Sequence, residues 1–200
     1  MQDSPTNNFA THNPLYKSQI TSYTTTPVYS DANLTSSNTA TTHSQAWTTI
    51  PLESKTYLEV YIHSIVGSYP GMSVMEPNTT GNHNASKYIN WVPNGNLYEY
   101  PGGNVVSSGM PSFKAGDTVR FWYDRETNTI NGAVNGGAAK QHVVTNSITA
   151  DDELFFYIDN HTPTKTSINF GQQPFRYAPP AGFEKLSTDN MPEPTTAKGS

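Results

Sequence analysis

Apolar and polar positions alternate with a period of two along much of this chain, and no window sustains the 3.6-residue period of an amphipathic helix. In TYLEVYIH (56–63), Leu58, Val60 and Ile62 alternate with Tyr57, Glu59, Tyr61 and His63. The first set suits a core and the second a wetter face. DTVRFWYD (117–124) carries aromatic residues on both faces, Val119/Phe121/Tyr123 and Arg120/Trp122, as a strand central to a sheet does. ELFFYID (153–159) is again apolar on both faces, and 166–170 predicts a last strand ended by Gly171. The nearest helix candidate, 138–153, holds β-branched Val143, Val144, Thr145 and Ile148, which lose rotamer freedom in a helix.

Turn residues punctuate these strands. Tyr88, Ile89 and Trp91 lead into Pro93-Asn94-Gly95-Asn96, and Leu97, Tyr98 and Tyr100 lead out. Asn-Gly tolerates the positive φ of a tight turn, so 88–100 reads as a hairpin. A second hairpin runs from 117–124 through the turn 125–128 to 129–134, ending at Asn135-Gly136-Gly137. Gly67, Pro70 and Gly71 break the chain before 72–75, a short continuation, and 76–87 reads as an exposed polar loop. Ten or more strands at this spacing predict an all-β fold, an antiparallel sandwich or barrel.

Composition narrows the function classes. The 200 residues include 26 Thr, 19 Asn and 19 Ser, against 14% charged and 34% hydrophobic residues. The polar excess gathers in 1–50, where Tyr16, Tyr23, Tyr29 and Trp47 recur, so this region reads as short strands and turns laid on a domain. Net charge is −5, with 11 basic residues scattered, so nucleic acid is not an expected partner. No apolar run approaches the roughly 18–20 residues that span a bilayer, and MQDSPTNNF lacks the basic start and apolar core of a signal peptide. Zero cysteines exclude disulfides and thiol chemistry. The expected organisation is a polar arm with short strands (1–50), a sandwich (51–187) and a tail or truncated linker (188–200).

Catalytic motifs are weak. The six histidines (12, 43, 63, 83, 142 and 161) show no metalloprotease spacing, and Gly67-Ser68-Tyr69-Pro70-Gly71 misplaces Ser68 for a nucleophile elbow. A glycosidase needs two carboxylates about 5–9.5 Å apart, and Glu59, Glu99, Asp117 and Asp124 stand out no more than other acids. Asp151-Asp152-Glu153, Asp159-Asn160-His161 and Asp124/Glu126/Asn128 read as solvated turns rather than a calcium site. Asn33, Asn78, Asn84 and Asn160 head glycosylation sequons, which Asn- and Thr-rich chains produce by chance. No cofactor and no metal are expected.

Binding has better support. Tyr88, Trp91, Tyr98 and Tyr100 surround the Asn94-Gly95 turn, beside the loops 76–87 and 101–111. Tyr and Trp give rigid amphipathic contact area, and Asn, Ser and Gly give adaptable hydrogen bonds, as in antibody paratopes. With Tyr69, Asn84 and Asn94 they make the candidate ligand-binding patch. Alternation also turns some of these aromatics into the core.

The order of the segments resembles the SPRY family. TYLEV (56–60) resembles the strand that opens its core, KAGDTVRFWYD (114–124) its Gly-Asp-led strand, and INGAVNGG (130–137) its return strand. The most specific match is SINFGQQPFRYAPPAGFEKL (167–186), similar to the closing Asn-Phe-Gly strand and the Phe-x-Tyr-x-Pro-Pro-x-Gly-Phe segment after it. The resemblance covers roughly 50–187. It implies a bent antiparallel β-sandwich, jelly-roll-like, that binds through loops at one end and is not an enzyme. SPRY return strands usually carry an aromatic residue where this chain has Gly132 or Ala133, which leaves part of the core for other segments, the N-terminal strands, to fill.

The flanks SPTNNFATHNPL (4–15) and FEKLSTDNMPEP (183–194) resemble SPRY-containing structural proteins of tailed bacteriophages. That resemblance implies a homo-oligomeric virion protein of tail, fibre or capsid surface, assembled in the host cytoplasm. Its partners would be other virion proteins and host-surface glycans or proteins. Two alternatives stay open: an intracellular SPRY adaptor recognising a short peptide, and a carbohydrate-active enzyme on a similar sandwich.

Overall fold

The computed structural model describes residues 8–17, 24–77, 87–101, 104–107, 109–145, 148–149, 152–161 and 163–191. Among these, thirteen strands form two antiparallel sheets, with one short 3-10 turn near the end. The seven-stranded sheet runs β1 (Val28–Ser30), β2 (Thr35–Asn38), β13 (Thr164–Asn169), β4 (Lys55–Ser64), β9 (Thr118–Asp124), β10 (Thr129–Val134) and β11 (Lys140–Val143). The six-stranded sheet runs β3 (Ser44–Trp47), β12 (Phe155–Asn160), β5 (Gly71–Met75), β6 (Tyr88–Trp91), β7 (Leu97–Tyr100) and β8 (Asn104–Ser107). The expected all-β sandwich is what forms.

Alternation decides which side chains meet between the sheets. On β4, Leu58, Val60 and Ile62 point inward and are wholly buried. Leu58 lies opposite Phe121 and Val60 opposite Val119 on β9. They pack into one core with Met72, Val74, Ile89, Trp91, Phe156 and Ile158 of the other sheet, and the Phe121 and Phe156 rings lie 5.1 Å apart. β9 sits between β4 and β10, as its two aromatic faces predict. Residues 72–75 do not continue β4: after the Gly/Pro break, β5 crosses to the six-stranded sheet.

Both hairpins form. Trp91 pairs with Leu97, and only Gly95 of the Asn-Gly turn takes a positive φ, +86°. β10 returns along β9 in register from Thr129↔Asp124 to Val134↔Val119. The polar N-terminal region supplies strands to both sheets, with hydroxyls in place of apolar packing. Ser36 Oγ and Thr166 Oγ1 pair at 3.1 Å inside the sandwich, and Thr35 Oγ1 and Ser167 Oγ pair at 2.6 Å on its outside. Of the sequons, Asn160 is buried and accepts a bond from Thr164, while Asn78 and Asn84 lie outside the described residues.

The gap on the return strand is filled from the opposite sheet, not by the N-terminal strands. Gly132 faces Trp91 of β6: a Cβ placed there would lie 2.6 Å from Trp91 Cη2 and 2.9 Å from Met110 Cε. The indole is fixed by its Nε1–H, which donates to Pro111 O at 3.0 Å, and by an edge-on contact with Phe113. The large ring is on β6, and glycine on β10 makes the room.

The two flanking segments are locked together. Phe9 bridges Ser187, Ala10 N donates to Leu186 O at 3.0 Å, and Thr188 N donates to Asn8 O at 2.9 Å. Leu186 N in turn reaches Phe170 O, so both flanks close one end of the core. His12 follows directly and is fully buried against Tyr29 and Phe170. Burial lowers its pKa from 6.5 to about 4, with the backbone at Trp47 and Ala46 opposing. A neutral buried imidazole binds a proton more readily once unfolded, so its contribution is complete above pH 6.5. It is lost as pH falls from 6.5 toward about 4, by about 1.4 kcal/mol per unit at most. We therefore expect His12→Phe to flatten the acid limb of stability, measured as urea midpoints at neutral pH and near pH 4.5. An unchanged limb would show that His12 is not responsible.

The outer face of the seven-stranded sheet is covered by the chain that follows β13. Tyr57, Trp122 and Ala133 form a small cluster there with Phe175 and Phe183. Phe175 meets Tyr57 edge-on at 4.8 Å, and Phe183 meets Trp122 at 6.4 Å. Glu59, 4% exposed, fastens the segment. Its carboxylate accepts Arg176 N at 2.9 Å, Tyr177 N at 2.8 Å and the Tyr57 hydroxyl at 3.0 Å. Burial, and then the Glu59 charge, push the Tyr57 phenol well above its ordinary pKa, so it stays a donor.

Candidate binding site

Register on the six-stranded sheet arranges the outward side chains into rows. One row is Trp47, Tyr157, Ser73, Asn90 and Tyr98, across β3, β12, β5, β6 and β7. A second is Phe155, Met75, Tyr88 and Tyr100. Adjacent rings stack: Trp47 on Tyr157 at 4.8 Å and 13°, and Tyr88 on Tyr100 at 4.0 Å and 7°. Tyr16 closes over Trp47 at 4.4 Å, its hydroxyl donating to Pro77 O at 2.6 Å. Stacking on a strand scaffold leaves these rings few rotamers to lose on binding.

A buried polar chain runs beside the rings. Ser73 Oγ donates to Asn90 Oδ1 at 3.1 Å, and Asn90 Nδ2 donates to Asp159 Oδ2 at 3.1 Å. Gly71, opposite Asp159, permits this, because a Cβ there would lie 2.8 Å from Asn90 Cγ. We expect Gly71→Ala to displace Asn90 and cost about 1–3 kcal/mol, the penalty for a buried polar group left unpaired; a urea midpoint equal to wild type would refute this. Beyond Asp159 lie two imidazoles and a phenol. His43 Nδ1 is 3.6 Å from Asp159 Oδ1, the His43 and His161 rings are 4.1 Å apart, and Tyr69 lies 5.3 Å from His161.

Burial keeps the phenols of this face protonated. Burial, then the Asp159 charge, raise the Tyr69 pKa well beyond its ordinary value. Burial also raises that of Tyr100, and burial and then His43 lower that of His161. Protonated phenols can donate hydrogen bonds while their rings supply contact area. Among the described residues no group of three or more His, Asp or Glu side chains is placed to hold a metal.

The proposed patch is therefore brought together in part. Tyr69, Tyr88, Tyr98 and Tyr100 share this outer face. Tyr88 is 2% exposed and buttresses Tyr100, while Tyr69, Tyr98 and Tyr100 are half-buried. Trp91 is wholly in the core and offers no surface. Asn94 stands in the hairpin turn, where its Oδ1 accepts Asn96 N at 2.9 Å. Asn84 lies outside the described residues. Sequence reasoning missed His43, His161 and Asp159. Their proximity follows from Ser44 pairing with Asn160, a long-range register with no local signature.

The sequence matches no family model and no curated protein. Solved structures are similar in fold. The SPRY domain of human HERC1 aligns at TM-score 0.58 and 17% identity, over 74% of this chain and 94% of that one. The TRIM65 PSpry domain aligns at TM-score 0.56 and 9% identity, over 81% and 90%. The stonustoxin structure aligns at 0.55 and 13%, over 81% of this chain and 27% of that one. The chain has an SPRY-like β-sandwich fold.

Proposed function

We propose that this chain is a non-enzymatic binding module of a tailed-bacteriophage particle, docking on other virion proteins through the tyrosine face of the six-stranded sheet. The observation that carries the contact surface is the set of half-buried Tyr69, Tyr98 and Tyr100, held on a rigid sheet and backed by Tyr88 and the Ser73–Asn90–Asp159 chain. Such a surface loses little conformational entropy on binding and offers neutral donors. The phage assignment is supported by the flanks 4–15 and 183–194, which resemble phage SPRY proteins and meet in a hydrogen-bonded closure between Asn8–Ala10 and Leu186–Thr188.

Mass spectrometry of purified particles from the phage whose genome encodes this sequence is expected to find the chain at structural stoichiometry. Absence from the particles overturns the reading. On particles that carry it, Tyr100→Ala is expected to weaken retention by about 2 kcal/mol, the threshold of an interface hot spot. A second reading, an adaptor that recognises a short peptide, is supported by the likeness to the HERC1 and TRIM65 domains. It predicts a soluble chain absent from particles that captures one peptide through the same face.

A further inference from the structure

A concavity lies on the opposite side of the molecule from the tyrosine face. It is a cavity of about 430 Å³ on the outside of the seven-stranded sheet, between the β1–β2 turn and the segment that follows β13. Tyr61 forms one wall at 39% exposure, and Ile168 lies at the cavity's strand side. The polar lining includes Asp31, Asn169, Gln173 and Arg176.

These groups are held in place from behind. His63 meets Tyr61 edge-on at 4.7 Å, and its Nε2 lies 2.7 Å from Ser167 Oγ, which pairs with Thr35. The Tyr61 ring is thus braced while one side stays open. Asp31 sits in a left-handed turn at φ 52°, and hydrogen bonds from Thr35 and Ser30 hold its carboxyl below the usual range. Arg176 is pinned at its backbone by Glu59, and its guanidinium reaches Thr118 Oγ1 at 3.5 Å and lies over the Tyr177 ring, 5.7 Å from its centroid. Asn169 is oriented by Gly171 N and Pro174 O.

We infer that this cavity is a second binding site, for a neutral saccharide. A pyranose presents an apolar C–H face and a rim of hydroxyls, each both donor and acceptor. The exposed Tyr61 ring matches the C–H face. A carboxylate, a guanidinium and two carboxamides around it match the rim, since planar forks bond adjacent hydroxyls in pairs. The charges decide between ligand classes. Asp31 and the buried Glu59, both in the lining, oppose the pull of Arg176 on an acidic ligand, while a neutral polyol can use carboxylate and guanidinium alike. The volume falls within the range of small-ligand pockets, about 300–1,000 Å³.

The test is a titration of the isotope-labelled chain with maltose, cellobiose, lactose and N,N′-diacetylchitobiose to tens of millimolar, followed by amide NMR shifts. At least one disaccharide is expected to move the signals of Asp31, Tyr61, Ser167, Asn169, Gln173 and Arg176. Tyr61→Ala and, independently, the exposed Gln173→Ala should each weaken that response about tenfold or more, equivalent to about 1.4 kcal/mol. Tyr61→Phe and Tyr69→Ala should leave it within a few-fold of wild type. Three outcomes overturn the inference: no shift with any of the four sugars, shifts confined to Tyr69, Tyr98 and Tyr100, or cavity shifts produced only by a short acidic peptide. Because the site is remote from the tyrosine face, its failure leaves the docking proposal standing, and loss of particle retention in Tyr100→Ala leaves the cavity untouched.

Discussion

Alanine at position 132 should destabilise this protein by about 1–3 kcal/mol, the usual cost of overpacking a core. Strand propensity alone gives the opposite sign, since glycine inside a strand costs about 0.5–1 kcal/mol relative to alanine. Packing wins because the new methyl would meet Trp91 Cη2 at 2.6 Å and Met110 Cε at 2.9 Å. The indole cannot step aside without losing its bond to Pro111 O and its contact with Phe113. Trp91→Ala alone should cost about 3–5 kcal/mol through the cavity it leaves. Adding Gly132→Ala to Trp91→Ala should then cost nothing further, so the double-mutant cycle shows a coupling of at least about 1 kcal/mol. Urea midpoints of the four chains measure it. A Gly132→Ala chain as stable as wild type, with no coupling to Trp91, would refute the exchange of ring for glycine between the two sheets.

Glu59→Ala is expected to cost about 3–5 kcal/mol, the scale for removing one partner of a buried charged network. The alanine leaves the amides of Arg176 and Tyr177 and the Tyr57 hydroxyl without their shared acceptor. Glu59→Gln keeps one acceptor oxygen but turns an N–H₂ group toward a donor, and should cost less, about 1–3 kcal/mol. Hydrogen exchange separates this from general destabilisation. The amides of Arg176 and Tyr177 should lose protection in Glu59→Gln at denaturant-free conditions, while Phe121 and Ile158 in the core keep theirs. Equal loss of protection everywhere would show that Glu59 is not a local fastener. The saccharide cavity borders this segment, so the Gln variant should also weaken sugar binding.

Much of the fold was legible because its determinants are local. Period-two alternation on 56–63 and 117–124 placed β4 and β9, and Asn94-Gly95 placed the β6–β7 hairpin. Other features were not. Residues 72–75 look like more of β4, and only the partner strands β12 and β6 show that β5 belongs to the second sheet. The Thr- and Ser-rich N-terminal region reads as short strands but does not show which sheets they join, because hydroxyl pairs such as Ser36–Thr166 replace the apolar stripe that would show the inward face. At the candidate site, Tyr69, Tyr88, Tyr98 and Tyr100 could be read from aromatics near turns. His43, His161 and Asp159 could not, since a pairing between residues more than a hundred positions apart brings them together.

The sequence by itself determined that this chain is an antiparallel β-protein and that Tyr88 and Trp91 occupy opposite faces of one strand. Alternation is a property of the extended backbone and needs no partner. Whether the Trp91 face could close into the core was decided only by the tertiary structure. Both carry a large aromatic ring; Ile89 makes the Trp91 face the more apolar, but an indole goes inside only where the opposite sheet has room for it. The choice rests on Gly132 of the other sheet, where the missing side chain leaves space for the Trp91 indole. With Trp91 inside, the tyrosines of the same hairpin turn outward, and the proposed docking face owes its orientation to a glycine that never touches it.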